Sequence, residues 1–147
     1  MNGYQYVVLR CVPRVDREEF VNVGVVLYCH AEDFLGSASR IDEGRLRSLD
    51  PGIDVQAVGR ALAAVESVCR GEAHVDFGVG SRATAYGVRD GADDQSSRFG
   101  FLRAPRSTVV QPGPVHGGLT DDPAAELSRL VTALVDQTGT SSTAPTA

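Results

Sequence analysis

The sequence predicts an α+β fold: an antiparallel sheet of about four to five strands with two main amphipathic helices packed on one face. Three observations carry this prediction. Two strongly apolar segments, Tyr4 to Val12 and Val21 to Cys29, follow one another across a short polar connection, and antiparallel pairing is their simplest topology. Two later segments repeat apolar residues at helical spacing between clear start and stop signals. The stretches between them are rich in Gly, Pro, Ser and Asp, which punctuate rather than extend regular structure.

Tyr4 to Val12 is apolar on both alternating faces except at Arg10, the pattern of a central strand. In the second strand, Val21 to His30, alternation puts Val21, Val23, Val25, Leu27 and Cys29 on one face. Asn22, Gly24, Val26, Tyr28 and His30 then share the other. Some registers set Arg10 opposite Gly24 or Asn22, and Gly24 is expected to admit a large neighbour such as Arg10 or an aromatic ring. The connection, Pro13 to Phe20, is too long and too charged for a two-residue hairpin turn and contains no Gly. It is a shaped loop, and Asp16 with Glu19 has the spacing of a capping box, which predicts one helical turn there.

Phe34 to Arg40 is a weaker third strand, and Asp42 to Leu49 a short helix stopped by Pro51-Gly52. Asp54 caps a clearer helix whose stripe Val55, Val58, Leu62, Val65 and Cys69 ends before Gly71. From Glu72 to Ser97 periodicity vanishes while Gly recurs at 78, 80, 87 and 91, the mark of a long loop or of weak strands with an excursion around Asp90 to Ser97. Ser96 to Leu102 reads as a turn or short helix. Ser107 to Gln111 reads as a further strand broken by Pro112-Gly113-Pro114. The last helix is the best marked: Asp122 caps, Pro123 takes the first turn, Leu127, Leu130, Val131, Leu134 and Val135 form the buried face, and Gly139 closes it. Residues 1–138 make one domain on this reading, and 139–147, with nothing to bury, a disordered tail.

Composition bounds the function. A chain of 147 residues with 42% hydrophobic and 22% charged residues is an ordinary globular domain with one core. No run is apolar enough to span a bilayer, and the first residues lack a secretory signal, which points to the cytoplasm. Net charge is −5, against broad nucleic-acid affinity. Yet Gln95 to Thr120 holds Arg98, Arg103, Arg106 and His116 with no acid, a local patch that suits one small anion or an acidic partner surface. All 14 Lys and Arg residues are Arg, a bias in keeping with a GC-rich bacterial gene. Cys11, Cys29 and Cys69 are odd in number and widely spaced, so they read as buried hydrophobes.

Four places could carry chemistry. Arg14 and Arg17 could hold a phosphate or carboxylate in two-pronged fashion with Glu18 or Glu19 as base; a solvated turn of mutually paired charges is the bland alternative. Asn22, inside an apolar strand, must find partners or lose about 1–3 kcal/mol, either by tethering the preceding loop or by touching a ligand. Arg106-Ser107-Thr108 joins a guanidinium to two hydroxyls at the start of a strand, which fits oxyanion recognition and fits local backbone bonding equally well. His116, in a Gly-rich loop, could act as acid or base. No phosphate-binding Gly loop with lysine, no HExxH, no CxxC and no Gly-x-Ser-x-Gly elbow occurs, and no metal or cofactor is expected.

The stretch Arg17-Glu18-Glu19-Phe20-Val21-Asn22-Val23-Gly24-Val25 after Pro13-Arg14, then Arg98-Phe99, Ala104-Pro105-Arg106-Ser107-Thr108, His116, Gly118-Leu119 and Asp122-Pro123, resembles a bacterial family, domain of unknown function 3037. The resemblance covers nearly the whole chain. It implies a link to a HipA-like kinase protein as partner, and it draws Arg14, Arg17, Glu18, Asn22, Arg106, Ser107 and His116 toward one site. The leading expectation is a small binding module with an anion- or partner-binding surface. The alternative is an enzyme acting on a phosphoester or nucleotide.

Overall fold

Strand β1 (Asn2–Cys11) and strand β2 (Val21–Cys29) pair antiparallel through Gln5↔Tyr28 to Leu9↔Gly24. A computed structural model describes residues 1–72 and 94–136 of the chain. Between Leu9 and Arg10 the register shifts, so Arg10 faces Asn22 and Val23 is left without a partner. That bulge redirects the strand. Val21 and Val23 join Val26 in one core cluster, while Val25, Leu27 and Cys29 turn to the other. The five apolar residues expected on a single face are therefore divided between two.

Strand β3 (Phe34–Ser39) pairs with β2 and forms one edge. Beyond β1 lie two short strands set end to end: β4 (Val110–Pro112) against Leu9 to Cys11, and β5 (His116–Thr120) against Asn2 to Tyr6. The result is a five-stranded antiparallel sheet in an α+β arrangement. Pro112, which cannot donate to a ladder, sits where its strand ends. β5 falls where the sequence indicated a loop. Gly117-Gly118 carries no strand propensity, but a Cβ on Gly118 would lie 2.6 Å from the Tyr4 hydroxyl, so only glycine lets this strand pass under that ring.

The helices are α1 (Glu43–Leu49), α2 (Val55–Arg70), α3 (Gln95–Arg103) and α4 (Pro123–Leu134). Each begins with an aspartate, Asp42, Asp54, Asp94 or Asp122, whose carboxylate accepts from the amide three residues on. Gly71 closes α2 in the left-handed region at φ 71°. Val58, Leu62 and Cys69 of α2 pack with Phe99 and Leu102 of α3 on Val7, Leu9 and Cys11. Leu127, Leu130 and Val131 of α4 pack on Val25, Leu27 and Cys29. The two principal helices thus cover opposite faces, not one. The reason is β2, buried along both faces, which needs an apolar cover on each side.

No helix among the described residues is long and apolar enough to cross a membrane. The glycines at 78, 80, 87 and 91, the closing Gly139 and the expected tail lie outside the described residues.

Candidate functional site

The β1–β2 connection makes a single turn, with the Arg14 carbonyl accepting from the amides of Arg17 and Glu18 at 3.0 and 3.3 Å. One turn was expected, but it starts at Arg14 rather than Asp16. The aspartate instead takes Arg14 Nη2 at 3.3 Å, and Glu19 takes Arg17 Nε at 2.9 Å. Four of the five charges in this loop therefore cancel in exposed pairs, each a small net contribution. The Glu19 carboxylate holds the Arg17 guanidinium above its ordinary pKa. Glu18 is the exception. Its backbone sits in the left-handed region at φ 58°, and it forms no ion pair among the described residues.

Beside Glu18 opens a recess of about 310 Å³, bordered also by Arg10, Phe20, Ser107 and Gln111, with Val12 and Val15 as its apolar walls. The early loop and the late Arg-Ser-Thr segment do meet there. β4 brings them together: Gln111 is the cross-strand neighbour of Arg10, and the Val12 amide donates to the Val109 carbonyl at 2.7 Å. The cation in the recess is Arg10 of β1, which is not among the site residues expected from the sequence. Its guanidinium lies 4.2 Å from the centre of the Phe20 ring. On another side a Cβ at residue 113 would come within 3.1 Å of its Cζ, so Gly113 is what gives it space. Its Nε is buried and has no hydrogen-bond partner among the described residues.

Of the other expected site residues, Ser107 lines the recess. Arg106 does not. Its Nη2 donates to the Phe101 carbonyl and its Nε to the Ala104 carbonyl at 3.3 Å, with the Phe101 ring 4.7 Å from its Cζ. Both carbonyls belong to the end of α3, where a cation also meets the negative end of the helix dipole. Burial lowers the Arg106 pKa. The Thr108 hydroxyl donates to the Val110 carbonyl at 2.7 Å, a local backbone bond. Asn22 does serve as a tether, though not of the preceding loop: its Nδ2 donates to the Leu134 carbonyl at 3.1 Å. It secures the end of α4 alongside Arg45, which donates to the Val135 carbonyl.

His116 opens β5 opposite Tyr6, their ring centres 5.3 Å apart. Tyr6 and Arg10 are four residues apart on one strand, or ~13 Å. The histidine and the recess therefore do not share one concave centre. Gly24 does not accommodate Arg10: a Cβ there would meet the Ala38 carbonyl oxygen at 2.9 Å and Leu9 Cδ1 at 3.4 Å. It permits close approach of β3.

The three cysteines are buried and unpaired. Burial pushes the Cys11 and Cys69 thiols up to about 11, away from the thiolate a nucleophile needs. Among the described residues no three His, Cys, Asp or Glu side chains gather where they could hold a metal ion.

Arg10 and Phe20 carried a legible signal: a lone arginine in an apolar strand, and an aromatic closing a charged loop. What sequence could not supply was the β4 register that sets Gln111 and Ser107 beside them. No curated protein and no solved structure matches this chain. A family model does, described as Protein of unknown function (DUF3037); it spans residues 6–135, and the chain belongs to that family.

Proposed function

We propose that this protein is a small binding module whose recess takes an anionic oxygen group, carboxylate or phosphate, through Arg10. One observation carries the reading: the Arg10 guanidinium, without an ion pair among the described residues, lines a recess that it shares with Ser107 and Gln111. A guanidinium that makes no ion pair favours an oxyanion, which it can bind through two N–H donors at once. The Phe20 ring packed against the guanidinium limits its freedom, so less ordering remains to be done when a ligand arrives. The separation of His116 from the recess and the involvement of Arg106 in helix capping favour binding over catalysis. A kinase-like protein, the partner implied by the family resemblance, is one source of such a group.

Titration with acetate and with inorganic phosphate, followed by the arginine side-chain N–H signals in NMR spectra, tests the reading. Arg10 should shift first, together with the Ser107 and Gln111 amides, and Arg10→Gln should weaken binding at least tenfold while the fold is kept. Shifts confined to Arg14 and Arg17, or equal binding by the variant, would refute it.

A further inference from the structure

We infer that the recess is shaped for a small zwitterion: a ligand that presents a carboxylate to Arg10 and an ammonium or similar N–H cation to Glu18. This rests on the anion reading of the same recess and narrows it. The argument begins with the loop's charges. Arg14 is matched with Asp16 and Arg17 with Glu19, so the turn neutralises itself apart from Glu18. Among the described residues, Glu18 and Arg10 are the two charges lining the recess, and they are not in ion-pair contact with each other. Opposite charges that share a small recess without meeting leave room for a molecule carrying the reverse pair.

The backbone supports this placement. Glu18 holds φ 58°, a conformation an L-residue adopts at a cost of about 1–2 kcal/mol and one that glycine would take freely. At this strained position the chain carries a glutamate that borders the recess, where glycine would bring no charge. Its charge also works against the wrong ligand. A nucleic-acid backbone would meet Glu18 as like charge, whereas an amino acid would meet a partner at each end. Size agrees: about 310 Å³ lies at the small end of ligand pockets and fits one compact molecule rather than a length of polymer. Val12 and Val15 provide apolar contact for a short carbon skeleton between the two charged ends.

The test compares probes on the full chain: acetate, methylammonium, and the amino-acid series glycine, β-alanine and γ-aminobutyrate, with Glu18→Gln and Arg10→Gln as variants. One member of the series should bind wild type about tenfold more tightly than acetate, a factor equal to ~1.4 kcal/mol. Glu18→Gln should erase that advantage while leaving acetate binding intact or improved. Arg10→Gln should abolish both. If every amino acid binds no better than acetate, or if Glu18→Gln keeps the preference, the zwitterion inference falls and the anion reading stands. If acetate itself fails to shift Arg10, the anion reading falls too. The probe ranking on wild type decides the matter even where a variant fails to fold.

Discussion

Tyr4→Phe removes one oxygen from a buried ring and should destabilise the fold by about 1.5–3 kcal/mol, the range for a hydrogen bond to a charged acceptor. The Tyr4 hydroxyl donates to Glu126 Oε2 at 2.5 Å, and Arg129 grips the same carboxylate through Nε at 3.0 Å and Nη2 at 2.5 Å. Tyr4 is only 7% exposed, so phenylalanine fills the same space without a cavity and the loss isolates the bond. The contact joins β1 to the first turn of α4, on the sheet face that this helix covers. Its pH dependence has a definite sign. Arg129 first, and Tyr4 second, hold the Glu126 carboxyl down at about 2. A depressed acid stabilises above its ordinary 4.5 and loses that contribution as pH falls toward 2. Burial first, and Glu126 second, push the Tyr4 hydroxyl up to about 12, so its contribution holds below its ordinary 10.0 and fades as pH rises toward 12. The difference between wild type and variant should therefore be flat from roughly pH 5 to 9 and shrink on either side. Urea unfolding across that range measures it; near pH 7 the midpoint should drop by roughly 1 M for a domain of this size. Equal midpoints at pH 7, or a difference undiminished at pH 2, would refute the argument.

Two further substitutions separate folding from binding. Gly24→Ala drives a methyl to within 2.9 Å of the Ala38 carbonyl, a backbone atom fixed by the β2–β3 ladder. Overpacking of this kind costs about 1–3 kcal/mol and should lower Tm by several degrees in calorimetry; an unchanged Tm would mean that the strands are not so close. Arg106→Ala takes away the donors to the Phe101 and Ala104 carbonyls and should destabilise by about 1–3 kcal/mol, read by thermal melting. Acetate and phosphate should still shift Arg10 in that variant. Lost binding with stability intact would instead put Arg106 in the recess.

What could be read from the sequence follows the range of the interactions involved. Asp54 and Asp122 were legible as caps because each bonds an amide three residues away, and the apolar stripes of α2 and α4 were legible because a helix repeats locally. β5 was not, since the case for a strand at Gly117-Gly118 lies in the ring of Tyr4, more than a hundred residues away. Nor was the sharing of helices between two faces, because one unmatched residue, Val23, reverses which side each later valine occupies. The site obeys the same logic. Exposed arginines in a charged turn look functional, yet they can find acids two residues away, and Arg14 and Arg17 do. An arginine inside an apolar strand has no such neighbour. Its strand partners are Asn22 and Gln111, and Asn22 spends its amide on Leu134 while Gln111 spends its own on the Thr108 carbonyl. A half-buried guanidinium with no ion pair among the described residues is uncommon, so Arg10 is a better candidate for a binding group than the conspicuous cluster beside it.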